Sequence, residues 1–320
     1  MNNIFRKMTL LVYSFLFLTN AVIAQSTYRE VAITIDDLPV ASGIKDNDFQ
    51  QKLTDDLLAK LKNYTVPAIG FVNEGKLYRN DTLVIERVDL LKQWLNAGFD
   101  LGNHTFSHKS LNRIPAKDYT EDLLKGEQII RGLIESAGKE LIYFRHPFLH
   151  TGRNIEVRDS LEDFLKEHDY KIAPVTIDNS DWVFASGYEK ALRENDSTMM
   201  KKISDAYIPY MESKFEHFEF VSRELFGREI KQILLIHASK LNADHFNELA
   251  EMMIKRGYKF IPLNEALKDT AYNSPDTFFG GGGISWLHRW ALTQKRNKDI
   301  FKTDFPAPEF VMKYAGIESE

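Results

Sequence analysis

The chain has 320 residues, of which 43% are hydrophobic and 27% charged, with no cysteine and a formal net charge of −5 at pH 7. These proportions are ordinary for a globular protein that is long enough to bury one large core. The acidic balance and the lack of a basic face argue against nucleic acid as the main partner. The absence of cysteine excludes disulfides and a lipid-modified cysteine.

The N-terminus predicts a secretory signal peptide over residues 1–24. Two basic residues precede an apolar run at positions 8–18, and a small-residue cleavage motif ends at Ala24. The run is shorter than the roughly 20 residues that span a bilayer, and an uncleaved anchor is the alternative. We expect the remaining residues, 25–320, to be a single domain that is periplasmic or secreted. We expect no stable membrane insertion after cleavage, and the oligomeric state stays open.

Seven apolar runs rich in β-branched and aromatic residues predict strands, at 31–35, 68–72, 99–101, 142–144, 172–177, 233–236 and 259–262. Apolar residues at helical spacing lie between most of them, at 49–61, 83–95, 119–134, 155–165 and 243–254. Strands that alternate with helices favour parallel pairing. We therefore predict a closed α/β barrel, with an open doubly wound sheet as the alternative. No GxGxxG follows the first strand, so nothing supports dinucleotide binding.

Two segments exceed the repeating strand–helix unit. Residues 184–232 are an insert whose polar and aromatic mixture predicts additional helices, with aromatics at Tyr188, Tyr207, Tyr210, Phe215, Phe218, Phe220 and Phe226. Residues 269–320 are a C-terminal extension. It contains consecutive glycines at 280–283, which predict a hinge or tight turn. A helix with Trp286 and Trp290 on one face is predicted to follow.

Carboxylates and imidazoles follow three of the predicted strands, where α/β barrels place their active sites. Asp36 and Asp37 end the first strand, and such neighbouring carboxylates repel unless a cation or an arginine intervenes. His104 and His108 follow the third strand. If they lie on a helical turn, their rings share one face, about 5–6 Å apart at Cβ, which suits chelation of a metal. His237 follows the sixth strand. Each alone also fits a plain structural role, such as a helix cap or a packed histidine.

Two further loops follow the fourth and fifth strands. In the first, Pro147 rigidifies the backbone, Arg145 can hold a carboxylate, and the Phe148 N–H can donate to an oxyanion; a surface salt bridge and turn is the alternative. In the second, an Asx turn explains one of Asp178 and Asp181 but not both. The other histidines are predicted to be surface or packing residues, at positions 146, 150, 168, 217, 245 and 288.

In this order, the five strings resemble the motifs of the polysaccharide deacetylase family, carbohydrate esterase family four. The T-[FI]-D-D element matches residues 34–37, H-[ST]-x-x-H matches 104–108, R-x-P-[FY] matches 145–148, D-x-x-D-W matches 178–182, and L-x-x-H matches 234–237. Each string alone is weak, whereas the ordered set is specific. The resemblance covers residues 31–263, which is most of the chain after the predicted signal peptide.

The resemblance implies a distorted (β/α)7 barrel of parallel strands, with the insert and the C-terminal extension as additions to it. It also implies a divalent metal held by Asp37, His104 and His108. Zinc is the expected ion, and cobalt, nickel or manganese also suit a set of two histidines and one aspartate.

The resemblance further implies a role for each of five other residues. Asp36 would be the general base, and Arg145 would fix its side chain. The Phe148 N–H, together with the metal, would stabilise the tetrahedral intermediate. His237 would protonate the departing sugar nitrogen, and Asp181 would orient His237.

The implied activity is metal-dependent hydrolysis of N-acetyl groups on an amino-sugar glycan or oligosaccharide, with release of acetate. One alternative is hydrolysis of O-acetyl esters, as on xylan, at the same site. Another is a non-catalytic glycan-binding envelope protein. The insert and the extension exceed the common family pattern, so the choice of glycan stays open. The aromatics of the insert either stack on sugar faces or form the core of the added helices.

Overall fold

The computed structural model describes residues 29–319. The predicted signal peptide, residues 1–24, lies outside these described residues. Within them, no helix combines the length and the apolar character needed to cross a membrane.

In residues 29–319, a sheet of seven strands forms the centre of the fold. The strands of the chain are β1 (Arg29–Leu38), β2 (Ile69–Val72), β3 (Tyr78–Arg79), β4 (Thr82–Leu83), β5 (Asp100–Asn103), β6 (Tyr143–Phe144), β7 (Lys171–Ile172), β8 (Gln232–His237) and β9 (Tyr258–Phe260). The sheet order is β7-β6-β5-β2-β1-β8, with β9 also paired to β1, and β3 and β4 form a separate hairpin. All neighbours in the main sheet are parallel.

The two ends of the sheet order meet. A parallel bridge joins Ile177, in the chain after β7, to Leu234 of β8. The sheet therefore curls into a distorted barrel, and the predicted fold class is confirmed. Backbone hydrogen bonds from residues 176 and 177 to Ile233, and from Leu235 to Ile177, hold this closure.

Helices surround the sheet. They are α1 (Asn47–Asn63), α2 (Ile85–Asn96), α3 (Ala116–Lys125), α4 (Ile130–Ser136), α5 (Ile155–Glu167), α6 (Asp181–Arg193), α7 (Ser197–Phe226), α8 (Lys240–Lys255), α9 (Leu263–Ala266), α10 (Trp286–Thr293) and α11 (Glu309–Ala315). Several begin at side-chain caps that accept a backbone N–H, each worth about 1 kcal/mol. These caps are Asp46, Asn154, Asp196, Ser239 and Ser285.

Two elements differ from their predicted extents. The predicted strand 172–177 is reduced to β7, because Pro174 has no amide hydrogen to donate to a neighbouring strand. The predicted helix 119–134 is divided into α3 and α4. Gly126 lies at this division, where a Cβ atom would come within 2.5 Å of the Thr105 backbone. The division therefore lets the chain pack closely against the loop that carries His104 and His108.

The insert forms α6 and α7, as predicted. Its aromatic side chains are mostly buried, which supports the core interpretation rather than sugar stacking, at Tyr188, Tyr207, Tyr210, Phe215 and Phe218. Phe220 is exposed. In the extension, Trp286 and Trp290 lie on α10 as predicted and are buried. α10 packs against α7, and α11 packs against α6, so the insert and the extension form one layer beside the barrel.

Candidate active site

The side chains predicted to do chemistry converge at the carboxyl edge of the sheet. Asp36 of β1 lies beside His237 of β8 in the parallel register. His104 directly follows β5, and Arg145 directly follows β6. Asp36, Asp37, His104 and His237 line a cavity of about 920 Å³. The tertiary structure therefore brings together residues that are up to 201 positions apart in the chain.

Three of these residues form a candidate metal centre. Asp37, His104 and His108 each offer a ligand atom, and these atoms lie within 4.8 Å of one another. Asp37 Oδ1 is 3.9 Å from His104 Nε2 and 3.7 Å from His108 Nε2. This oxygen is buried and has no hydrogen-bond partner among the described residues. An unpaired buried carboxylate oxygen is costly, and a divalent cation among these three atoms would satisfy it. The donor set therefore fits a divalent metal.

The two histidines are not on a helical turn, which corrects the sequence-based expectation. They lie in a loop after β5, and both Thr105 (φ 65°) and His108 (φ 51°) adopt left-handed backbone angles that a helix does not contain. The Thr105 hydroxyl accepts the His108 N–H at 3.1 Å and stabilises this turn. His104 Nδ1 lies 2.8 Å from the Arg145 carbonyl. Donation to that carbonyl leaves the lone pair of the ring on Nε2, facing Asp37.

The surroundings of the centre favour the protonation states in which its three side chains can bind a metal. Burial lowers the pKa of His104 and of His108, so both rings are neutral at pH 7. Burial alone would raise the pKa of Asp37, but Lys76 and the nearby imidazoles hold it well below its ordinary value. Lys76 Nζ lies 3.1 Å from Asp37 Oδ2, which leaves Oδ1 directed at the two histidines. Neutral imidazoles and an ionised carboxylate are the forms that bind metals.

Asp36 lies beside the candidate metal centre but is not one of its three ligands. Its carboxylate accepts from Arg145 Nη1, which is 3.3 Å from each oxygen. The Arg145 guanidinium is itself fully buried and donates to the Thr34 hydroxyl at 2.9 Å and to the Ala173 carbonyl at 2.8 Å. The alternative prediction for Arg145, a salt bridge at the protein surface, is therefore wrong. Burial raises the pKa of Asp36 to about 6, against the opposing effect of Arg145. A carboxylate with a pKa near neutrality suits proton abstraction.

His237, next to Asp36 on the neighbouring strand, also lines the cavity and is paired with Asp181. Its Nδ1 is 2.7 Å from Asp181 Oδ1, and its backbone N–H donates to Asp181 Oδ2 at 2.8 Å. Asn242 also donates to Oδ2, so the buried Asp181 carboxylate is fully held. Burial by itself lowers the pKa of His237, but Asp181, Asp37 and Asp36 outweigh it and raise the pKa to about 9. The cavity thus contains one group suited to accept a proton and one suited to donate it.

Phe148 lies in the 3-10 turn Pro147–Leu149 with a left-handed φ of 58°, which is uncommon for a residue with a side chain. Its ring is exposed and packs on the His108 ring, with the centroids 4.4 Å apart. The C-terminal extension covers its backbone. A Cβ atom on Gly283 would lie only 1.7 Å from the Phe148 carbonyl oxygen. The conformation of the Phe148 loop therefore depends on the absence of a side chain at position 283.

Gly283→Ala is accordingly expected to displace the Phe148 backbone and to lower turnover by at least about 10-fold, because misplacement by about 1 Å is enough to reduce catalysis strongly. Stability should fall by about 1–3 kcal/mol, as for other overpacked sites. Gly281→Ala is the matched control, since its Cβ would meet nothing within 4 Å. Steady-state kinetics and thermal unfolding of both variants check this. Equal behaviour of the two variants would show that the extension does not position Phe148.

Several residues of the site were not found by sequence reasoning. Lys76 and Asn242 contact Asp37 and Asp181, but neither ends a strand. Lys214 and Asp304 line the same cavity from the insert and the extension. No local pattern marks these residues, because none of them ends a strand. Lys76 lies in the 3-10 turn after β2 and Asn242 lies on α8, while Lys214 and Asp304 belong to the added segments.

Comparison with known proteins agrees with this geometry. Residues 24–173 match the family model described as polysaccharide deacetylase. A curated relative, the peptidoglycan-N-acetylglucosamine deacetylase of Bacillus cereus, is 28% identical over 153 residues, which are 48% of this chain and 46% of the relative. The chain thus matches about half the length of that relative. Asp181 and His237 lie beyond the residues that the family model matches, and their placement depends on the fold.

A solved structure shares that fold. It is a mutant of a CE4 family pseudoenzyme from Bacillus anthracis, described as having restored enzymatic activity. It is 17% identical in sequence, its TM-score is 0.51, and the match covers 76% of this chain and 69% of the other. The family match over residues 24–173 and the shared barrel are together consistent with the polysaccharide deacetylase family, whose motifs the five strings resemble.

Proposed function

We propose that the protein is a metal-dependent hydrolase that removes N-acetyl groups from an amino-sugar glycan and releases acetate. The observation that supports this most directly is the arrangement around one cavity. A His₂Asp donor set lines the same cavity as a buried carboxylate with a raised pKa, Asp36, and an imidazole with a raised pKa, His237. Amide hydrolysis needs these functions, since the attacking water must lose a proton and the leaving nitrogen must gain one.

Asp37, His104 and His108 would hold the divalent ion. We propose zinc, with cobalt, nickel and manganese as alternatives that the same ligands accommodate. When bound, such an ion supplies Lewis acidity to the acetyl carbonyl and lowers the pKa of a water molecule.

The side chains of the chain supply the proton transfers. Asp36 accepts a proton from the water that attacks the acetyl carbonyl carbon, and Arg145 keeps its carboxylate directed at that position. The Phe148 N–H donates to the oxyanion that forms. His237, protonated at Nε2, then donates that proton to the amide nitrogen as the C–N bond breaks. Asp181 stabilises the imidazolium before the transfer. The products are acetate and a free amino sugar.

The proposed substrate is an acetylated glycan of the cell envelope. The curated relative is described as acting on N-acetylglucosamine of peptidoglycan, and export through the predicted signal peptide would bring this chain to such a polymer. Phe148 and Trp182 line the cavity and are 52% and 42% exposed. Exposed aromatic faces of this kind favour packing against the apolar face of a sugar ring.

Two other functions are compatible with the same arrangement of residues. Hydrolysis of O-acetyl esters needs the same donor set and base but less help from His237, because an alkoxide leaves more readily than an amide nitrogen. A non-catalytic binding role is the other alternative, because the structure that shares the fold is described as a mutant of a pseudoenzyme. The paired Asp36–Arg145 and His237–Asp181 contacts weigh against that role here, since sugar binding alone needs neither.

Acetate release from a panel of acetylated glycans tests the proposal. We expect the purified protein to release acetate from at least one amino-sugar glycan, to lose this activity in the presence of a chelator, and to regain it with added Zn²⁺ or Co²⁺. Acetylxylan is the matched substrate for the ester alternative. Undiminished activity after complete metal removal would contradict metal dependence, and no release by the metal-loaded protein from any substrate would favour the binding role.

A further inference from the structure

A second cluster of metal-binding residue types lies outside the family motifs. His217, His288 and Asp304 each offer a ligand atom, and these atoms lie within 4.8 Å of one another. His217 belongs to α7 of the insert, His288 belongs to α10 of the extension, and Asp304 follows the 3-10 turn Lys298–Phe301. The sequence predicts surface or packing roles for both histidines. They are buried, and their Nε2 atoms face each other across the contact between α7 and α10.

Close polar contacts hold the His217 and His288 rings in place. His217 Nε2 and His288 Nε2 are 2.7 Å apart, so at most one of them carries a proton there. The Thr303 hydroxyl lies 2.8 Å from His217 Nδ1 and orients this ring from the outside. Metal-binding histidines commonly have such a partner on the second ring nitrogen. If His217 donates its Nδ1–H to Thr303, the neutral ring has its lone pair on Nε2. His217 can then bind a cation through Nε2 without releasing a proton.

The Asp304 carboxylate lies beside the other nitrogen of the His288 ring, Nδ1, and pairs with a lysine as Asp37 does at the first centre. Lys214 pairs with Asp304 Oδ1, and Asp304 Oδ2 lies 3.9 Å from His288 Nδ1. At the first centre, Lys76 likewise pairs with one oxygen of Asp37 and leaves the other directed at two histidines. Burial lowers the pKa of His217 to about 4 and that of His288 to about 3, so both are neutral at pH 7. Neutral imidazoles are the form that binds a cation.

We propose that His217, His288 and Asp304 form a second divalent-cation site that joins the insert to the C-terminal extension. Two nitrogens and one carboxylate oxygen suit zinc and its neighbours among the transition metals better than Ca²⁺ or Mg²⁺. Lys214 and Asp304 also line the cavity of the first centre. An ion at the second site would therefore fix part of the wall of that cavity, while the proton transfers take place at the first.

Metal stoichiometry tests this site directly. Metal-free protein is loaded with Zn²⁺, passed through a desalting column and analysed for zinc by mass spectrometry. We expect two ions per wild-type chain, one for His108→Ala, one for His288→Ala, and none for the variant that combines both changes. His245→Ala is the matched control and should keep two, because His245 contacts Glu248 outside both clusters. One ion in the wild type together with none in His108→Ala would overturn the proposal. The contact between His217 and His288 would then be only a hydrogen bond between neutral rings.

Thermal unfolding gives a second measurement, and its first comparison needs no substitution within the second cluster. In the His108→Ala background the second cluster is unaltered, and saturating Zn²⁺ should raise Tm by about 5 °C. His217→Gln in the same background should abolish this rise, and its circular dichroism checks that it folds. No rise in His108→Ala would also overturn the proposal. One ion in both wild type and His108→Ala, lost in His217→Gln, would support the second site while contradicting the first.

Discussion

Asp36→Asn is expected to lower turnover on an N-acetylated glycan by about 10²–10⁴-fold, the usual contribution of a general base. The amide cannot accept the proton of the attacking water. Asp37, His104 and His108 are unchanged, so the variant should still bind its divalent ion. Steady-state acetate release and Co²⁺ titration of the same preparation separate these two effects. Full turnover by Asp36→Asn would rule out the assignment of the base.

Loss of stability is a separate consequence of the same change, because the fully buried Arg145 loses its anionic partner. Removing one member of a buried ion pair costs up to about 3–5 kcal/mol. Asn keeps a carbonyl oxygen for Arg145, so the cost should lie below that range. Asp269→Asn is the control, since it weakens the partly buried pair with Arg228 away from the cavity. It should lower the free energy of unfolding but leave turnover nearly unchanged.

The second large effect concerns His237. His237→Ala is expected to lower N-acetyl hydrolysis by about 10²–10⁴-fold, because the amide nitrogen leaves poorly unless it is protonated. Hydrolysis of 4-nitrophenyl acetate should fall much less, since nitrophenolate leaves without a proton. Comparing kcat/KM for the two substrates measures the difference. An equal loss on both substrates would contradict a role as the leaving-group acid.

The pH profile provides an independent check on the same residue. Asp181, Asp37 and Asp36 raise the pKa of His237 to about 9. The acid form is therefore present below this pH and is lost above it, so kcat/KM should fall on the basic side near pH 9. Asp181→Asn removes the largest contribution that raises the pKa, and the basic limb should shift to lower pH. A limb that stays in place would show that another group controls it.

The sequence alone was enough to predict the barrel and to identify the polar residues at the ends of its strands. Strand–helix alternation and the apolar runs are local properties, and polar residues such as Asp36, Asp37 and His237 follow those runs directly. Parallel strands bring their carboxyl ends to one edge, so convergence of these side chains followed from order along the chain. The local conformation of the metal loop did not follow, because four-residue spacing between His104 and His108 fits both a helical turn and the observed loop.

Only the tertiary structure decided which residues from the added segments reach the cavity and each other. His217 and His288 are 71 positions apart and meet through the packing of α7 on α10. Likewise, Gly283 lies against Phe148 only because the extension folds back over that loop. These contacts depend on how helices and loops dock, which is set by the summed burial of many side chains and not by the spacing of a few. A local pattern contains no information on such docking, so the same histidines resemble ordinary packing residues in the sequence.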